Sequence, residues 1–155
     1  MANTYTRIYI HLVFAVKFRE ALISSSWKHR LCKYISGIIR HKGHKLIAIN
    51  SMPDHIHIFV GMKPHAALSD LVHDIKKDST NFVNREIKAR GKFSWQEGFG
   101  AFSYSHSHID AVVKYILNQE KHHHRRTFRD EYTAMLKKFN VEYNEAYIFD
   151  RFDSK

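Results

Sequence analysis

The chain has 155 residues, 44% of them hydrophobic, which predicts a single domain over residues 1–155 with a core of its own. Lysine and arginine number 25 against 15 aspartate and glutamate, and the resulting net charge of +10 favours a polyanionic partner, chiefly nucleic acid. No apolar stretch approaches the roughly 20 residues that cross a bilayer, the first residues lack a secretory-signal pattern, and Cys32 is the only cysteine, so we expect a cytoplasmic protein without a membrane partner.

The first part of the chain predicts a strand, a helix and a hairpin. Apolar residues alternate with other residues over 7–14, which is the period of a strand. Three serines then precede a helical pattern over 27–41. Two further strands, 45–51 and 55–61, are joined by a short Pro-Asp turn and should pair as an antiparallel hairpin.

The second part predicts a long helix over 70–89, a strand over 100–105, a helix over 109–121 and a last amphipathic helix over 128–139. This order, β-α-β-β-α-β followed by helices, predicts an α+β fold of the ferredoxin-like split βαβ plan, whose antiparallel sheet is also found in RNA-recognition modules. We expect the first and third strands to be central. We also expect two helices to cover one sheet face and the other face to stay free of these two helices, open and next to a third helix.

Two histidines in the third strand form the first candidate site. His55 and His57 are two residues apart, so on a strand they point to the same side, roughly 6.5 to 7 Å from each other along the backbone. Imidazole nitrogens bind divalent metals at roughly 2.0 to 2.2 Å, so the two side chains can lean onto one ion. The alternative is a pair of hydrogen-bonded histidines on a half-exposed strand.

A second candidate pair lies in the predicted helix after the fourth strand, which falls with the final helix in about residues 107–140. Tyr115 and Gln119 are four residues apart and therefore share one helical face. A glutamine carbonyl can bind a hard cation, and a tyrosine phenol can act as a nucleophile. Together with two histidines they suit attack on a phosphodiester; the alternative for Tyr115 is a core aromatic.

Three segments carry a resemblance to a known family. The patterns Pro-Asp-His-Ile-His over 53–57, Trp-Gln-Glu-Gly-Phe-Gly-Ala-Phe-Ser over 95–103 and Tyr-Ile-Leu-Asn-Gln over 115–119 occur in this order. They resemble the small single-tyrosine transposases of bacterial insertion sequences that move as single-stranded DNA. These enzymes belong to the wider HUH nucleases, in which U is a bulky apolar residue.

The resemblance implies a complete set of functional residues. His55 and His57 would bind a divalent metal, magnesium or manganese, with Gln119 as third ligand, and Tyr115 would form a 5′-phosphotyrosine link to DNA. It implies a bacterial transposase that recognises hairpin ends on single-stranded DNA. It further implies a homodimer, in which the tyrosine helix of one subunit typically reaches the histidines of the other. The histidines at 122–124 could compete with Gln119 as ligand.

Basic residues supply candidate DNA contacts in two groups. The first follows the second long helix, where the alternative is an ordinary solvated helix face. The second adjoins the tyrosine helix, where phosphate contacts are favoured. The first group is Lys76, Lys77 and Arg85, and the second is Arg125, Arg126 and Arg129.

Several alternatives remain open at this point. One is a domesticated relative that processes chromosomal hairpin repeats without moving an element. Another is a non-catalytic module that binds single strands on an RNA-recognition-like sheet. A zinc hydrolase would need a carboxylate near the histidines, and the neighbouring Asp54 is expected to point to the opposite face. Tyr104 is the alternative nucleophile.

Overall fold

A computed structural model describes residues 3–17, 22–89, 91–123 and 127–148, with the backbone alone for residues 122, 123 and 147. The elements in chain order are β1 (Tyr9–Ala15), α1 (Lys28–His41), β2 (Lys45–Met52), β3 (His55–Gly61), α2 (Leu68–Phe82) with a π-helical turn (Val83–Ile87), β4 (Gly100–Tyr104), a 3₁₀ turn (His106–His108), α3 (Ile109–Leu117), α4 (Gln119–His123), α5 (Phe128–Lys138) and α6 (Glu145–Ile148).

The four strands form one antiparallel sheet in the order β2-β3-β1-β4. The predicted α+β plan is therefore confirmed, with the first and third strands at the centre. Leu12 of β1 pairs with Ile58 of β3, and Val13 pairs with His57. Since neighbouring residues point to opposite faces, this register places the histidines on one face and the isoleucines on the other.

The face that carries Ile56 and Ile58 holds the larger part of the core. Helices α1 and α2 lie against it, because each presents an apolar stripe at helical spacing. The stripe residues are Leu31, Ile35 and Ile39 in α1, and Leu71, Val72 and Ile75 in α2, all of which are buried.

The face that carries the histidines is free of α1 and α2, as predicted, but α3 and α5 cover it, so the prediction that it is open was wrong. Val112 and Ile116 of α3 pack on Phe59 at one end of this face. Several residues of α5 pack on Val13 and Phe102 nearer the other end. The physical reason is that apolar side chains flank the histidines on this face, and covering them removes apolar surface from water.

Two predicted helices end earlier than their patterns suggested. The second was predicted to continue to residue 89, but its regular part ends at Phe82, and Lys88 adopts a left-handed conformation at φ 54°. The third was predicted as one helix over 109–121 but breaks at Asn118, and α4 begins at the next residue, Gln119. No helix in the described residues is long and apolar enough to cross a membrane.

Candidate functional site

Three buried side chains from two elements converge on the histidine face. His55, His57 and Glu131 are each at most 1% exposed at the side chain. Glu131, on α5, places Oε1 3.2 Å from His57 Nε2 and 3.5 Å from His55 Nε2. One ligand atom from each residue lies within 4.8 Å of the others. Two imidazole nitrogens and one carboxylate oxygen form a donor set that fits a divalent cation.

The outer nitrogen of His55 is held by its neighbour in the chain. His55 Nδ1 lies 2.7 Å from Asp54 Oδ1, so Nδ1–H donates to the carboxylate and Nε2 faces the cluster. The prediction that Asp54 points away was wrong. Asp54 belongs to the turn before β3, where the alternation of a regular strand does not hold.

The outer nitrogen of His57 is held by a third histidine. His11 Nε2 lies 2.8 Å from His57 Nδ1, and the two rings stack with centroids 5.0 Å apart. His11 sits on β1, diagonally across the strand pair from His57. Burial and the neighbouring His57 lower the pKa of His11 to about 3, so His11 is neutral near pH 7.

Tyr115 reaches the same carboxylate from α3. Its hydroxyl donates a hydrogen bond to Glu131 Oε2, and its ring lies edge-on to His57 at 5.9 Å between centroids. Burial alone would raise the pKa of Glu131. Hydrogen bonds from His55, His57 and Tyr115 outweigh that effect and hold the pKa well below its usual range. Glu131 therefore carries a negative charge among the candidate metal and nucleophile groups.

Sequence analysis identified His55, His57 and Tyr115, and it missed both His11 and Glu131. A signal was present: α5 is amphipathic, and Glu131 interrupts its apolar stripe three residues after Phe128 and four before Met135. A carboxylate on the buried face of a helix needs a partner, because an unpaired buried charge is costly. That argument predicts that Glu131 has a polar partner, but it does not identify the partner.

Gln119 remains close to Tyr115 although the predicted helix is broken. It is fully buried at the first position of α4, and its Nε2 donates to the carbonyl of Tyr115 at 3.3 Å. Helix α3 is tied to the sheet by Asn50 of β2, whose Nδ2 donates to the Ile116 carbonyl at 2.9 Å. These bonds fix the end of α3 that presents Tyr115.

The predicted DNA contacts fall in different places. Lys76 lies on α2, on the sheet face opposite the histidines, and its Nζ donates to the carbonyl of Gln96 at 2.9 Å and to that of Gly98. Lys77 on α2, Arg85 in the π-helical turn and Arg129 on α5 are exposed. The remaining candidates, Arg125, Arg126 and His124, lie outside the described residues, as do the side chains of His122 and His123.

A sheet that presents paired histidines to a half-buried tyrosine is the arrangement of an HUH-type tyrosine nuclease. The family described as "Transposase IS200 like" matches residues 4–119, and the chain belongs to that family. It is a DNA transposase, as the resemblance implied. Helix α5, which carries Glu131, lies beyond the matched residues.

Similar proteins come from both sequence and structure. The ISDra2 transposase TnpA of Deinococcus radiodurans is 25% identical over 114 residues, which are 70% of this chain and 81% of that protein. The fold is similar to a crystal structure of a putative transposase from the same organism, with a TM-score of 0.59, 24% identity, and coverage of 76% of this chain and 94% of that one. A REP-associated tyrosine transposase bound to a REP hairpin gives a TM-score of 0.60 at 17% identity, covering 78% of this chain and 72% of that one.

Proposed function

We propose that this transposase cleaves and rejoins single-stranded DNA with Tyr115 as the nucleophile. The observation that carries the proposal is the convergence on Glu131, whose two oxygens contact the Tyr115 hydroxyl and His57. A scissile phosphate bound at the histidines would therefore lie next to the phenol oxygen. Holding the two reacting groups together in this way lowers the entropic part of the barrier.

The proposed site holds one divalent metal ion, magnesium or manganese. His55, His57 and Glu131 would supply three ligands, and the Gln119 carbonyl is proposed as a further oxygen ligand. Hard cations such as these favour oxygen ligands, which supports the carboxylate and the amide. When bound, the metal offsets negative charge that develops on the phosphate oxygens.

The proposed chemistry is a transesterification. The Tyr115 oxygen attacks the phosphorus, the bond from phosphorus to the 3′ oxygen breaks, and the products are a 5′-phosphotyrosine and a free 3′ hydroxyl. Rejoining reverses this step with a 3′ hydroxyl as the attacking group. Glu131 Oε2, which accepts the hydrogen bond from the phenol, orients the Tyr115 oxygen for the attack. The phenol gives up this proton as the ester forms, and the departing 3′ oxygen takes up a proton.

The proposed partner is single-stranded DNA with hairpin ends, in a bacterial cytoplasm. The net charge of +10 supports a polyanionic partner. A protein of similar fold, with a TM-score of 0.60, was solved bound to a REP hairpin. A homodimer completes the proposal and rests on the resemblance to the family.

A covalent-trapping assay tests the nucleophile. Labelled single strands that tile the DNA on both sides of the gene are incubated with the protein and magnesium, and adducts are separated under denaturing conditions. We expect an adduct with the wild type, none with Tyr115→Phe, and none with chelator. Tyr104→Phe is the matched control, and it should retain the adduct.

Two outcomes would contradict the proposal. An adduct that persists in Tyr115→Phe would show that Tyr115 is not the nucleophile. An adduct that forms in the presence of chelator would show that the reaction needs no metal ion. Strands from the two ends that are joined to each other indicate an active element. Cleavage at isolated hairpin repeats without joining indicates the domesticated alternative.

A further inference from the structure

A cleft between α3 and α5 opens beside the nucleophile. Its volume is about 310 Å³, and Tyr115 forms part of its wall. Val112 and Met135 line it from the two helices, and both are buried. Tyr104 of β4 also lines the cleft and is half-buried. A cavity of this size is at the lower end of the range that holds small organic ligands.

The position of the cleft makes it a route to the buried site. His55 and His57 are fully buried beneath α3 and α5, so a phosphate must approach them beside one of these helices. A second cavity, of about 310 Å³, lies on the other side of α5 and is lined in part by Glu97 and Glu142. Carboxylates at that cavity repel a phosphate backbone.

The α3–α5 cleft carries a positive charge, in contrast to the cavity lined by Glu97 and Glu142. Lys138 of α5 and His108 at the start of α3 are both exposed and both line it, and none of the described residues that line it is acidic. His108 Nδ1 lies 2.8 Å from Ser105 Oγ, which orients the ring. A cation beside an apolar wall and an aromatic ring complements a nucleotide, which carries a flat base and an anionic phosphate.

We infer that the α3–α5 cleft is a subsite for one unpaired nucleotide adjoining the scissile phosphate, with the base stacked on Tyr104 and its phosphate at Lys138. This inference rests on the proposed function and names where the strand is held. Lys138 Nζ already lies 5.9 Å from the centroid of the Tyr104 ring, so that ring face is reached from the cleft. An incoming base takes this position on the ring, and the lysine moves to the phosphate.

The subsite accepts any of the four bases. Every base has an aromatic face, so stacking on a tyrosine ring is tolerant of sequence. The apolar side chains in its lining, Val112 and Met135, cannot distinguish one base from another by hydrogen bonds to the base edge. The cleft therefore holds the strand in register beside Tyr115 and leaves sequence recognition to other contacts.

The test uses a short oligothymidylate that carries one 2-aminopurine, whose fluorescence falls when it stacks. The proteins carry Tyr115→Phe, which keeps the ring but removes the proposed nucleophile. We expect quenching on binding, loss of quenching with Tyr104→Leu, and retention with Tyr104→Phe. Removal of a stacking platform weakens binding by roughly five- to a hundredfold, measured in parallel by anisotropy.

The charged half of the subsite has a matched control on the same helix. Lys138→Gln should lower the slope of log K against log salt by about 0.7, the value for one phosphate contact on a single strand. Lys137→Gln, which removes an exposed charge outside the cleft, should leave the 2-aminopurine signal unchanged. Ala134→Glu places a carboxylate at the exposed rim of the cleft and should also abolish quenching, without any change to the Tyr104 packing.

The inference is overturned if quenching persists in both Tyr104→Leu and Ala134→Glu, or if Lys137→Gln affects it as much as Lys138→Gln does. Because the assay measures binding by a protein without the Tyr115 hydroxyl, its failure is separate from failure of the covalent-trapping assay. An adduct that forms while quenching is insensitive to these variants rejects the subsite and leaves the proposed nucleophile intact.

Discussion

His11 determines which nitrogen His57 can offer to a metal ion. For His57 Nε2 to bind a cation, its Nδ1 must carry the proton and donate it to an acceptor. The Nε2 atom of neutral His11, 2.8 Å away, is the acceptor in the tautomer of His11 that carries its proton on Nδ1. His11 thus acts on the site through His57, as a positioning residue with no direct role in the reaction.

We predict that His11→Leu lowers the affinity for Mn²⁺ by about 10- to 100-fold, the usual cost of losing such a partner. The affinity can be measured from the electron paramagnetic resonance signal of free Mn²⁺. His11→Gln is the matched variant, because a glutamine oxygen replaces the acceptor at a similar reach, and it should retain most of the affinity. Equal affinities in folded samples of the two variants would contradict the role given to His11.

His44 makes the stability of the fold sensitive to acid. It is buried, and its Nδ1 accepts a hydrogen bond from the backbone N–H of Lys63 at 3.0 Å. Burial, with nearby positive charges on His65, Lys42 and Lys63, lowers the pKa of His44. The unfolded chain, with a histidine pKa of about 6.5, therefore binds more protons than the folded chain once the pH falls below that value.

We predict that the free energy of unfolding decreases as the pH falls through about 6.5, and that His44 contributes no such change well above pH 7. His44→Asn keeps an acceptor near the Nδ1 position and removes the titrating ring, so its loss of stability between pH 7.5 and pH 5.5 should be smaller. Urea unfolding at the two values measures this. His29→Asn, an exposed change on α1, should behave like the wild type.

At the scale of elements, β4 and α5 meet at a glycine. A Cβ added to Gly100 would lie 2.6 Å from Tyr132 Cε1 and 2.9 Å from the Tyr132 hydroxyl. Tyr132 follows Glu131 directly, so the absence of a side chain at Gly100 lets α5 approach closely enough for its carboxylate to reach the histidines.

We predict that Gly100→Ala destabilises the protein by about 1 to 3 kcal/mol, as overpacking of a close contact does, and weakens Mn²⁺ binding by displacing α5. Thermal unfolding and metal titration measure the two effects. Gly37→Ala on α1 is the control, because in the described part of the chain no atom lies within 4 Å of its added Cβ. This change should stabilise the helix by about 0.5 to 1 kcal/mol. Adding Tyr132→Leu to Gly100→Ala should recover the loss; if it does not, the contact is not the cause.

Element patterns in the sequence were informative wherever local forces decide the structure. The hairpin of β2 and β3 follows from two apolar runs and a Pro-Asp turn, and β3 occupies 55–61 as predicted. The end of α2 was not predictable in this way. Asn84 bonds both the N–H and the carbonyl of Phe93, at 2.9 and 3.1 Å, and this contact between distant residues shapes the chain after the helix.

The same distinction applies to the site. Strand spacing paired His55 with His57, and the spacing of a predicted helix paired Tyr115 with Gln119. The resemblance to the family then assigned a role to each of the four. Glu131 meets them only because α5 packs back across the sheet. Periodicity shows that a helix has an apolar face but does not say which surface that face will cover.

For the molecule as a whole, one face of the ferredoxin-like sheet supports the apolar core and the other face carries the candidate site. One face, beneath α1 and α2, holds most of the apolar core. The other face holds His11, His55 and His57, with α3 bringing the tyrosine and α5 the carboxylate. Tyr115 contacts Glu131 within a single chain, whereas the resemblance implied a tyrosine that reaches the partner's histidines. Two arrangements follow for a dimer: a site assembled within each subunit, and a site that the partner's tyrosine completes.

Complementation distinguishes these two arrangements. Tyr115→Phe and His57→Ala subunits, with different tags, are produced together, and complexes that carry both tags are purified and assayed for the covalent adduct. A site built within one chain predicts no adduct, since each subunit lacks one essential group. A site shared between subunits predicts about half of the wild-type adduct, because one of the two composite sites is then intact. Complexes of wild-type subunits with the same two tags control for the purification, and an adduct in the mixed complex would assign the tyrosine to the partner's site.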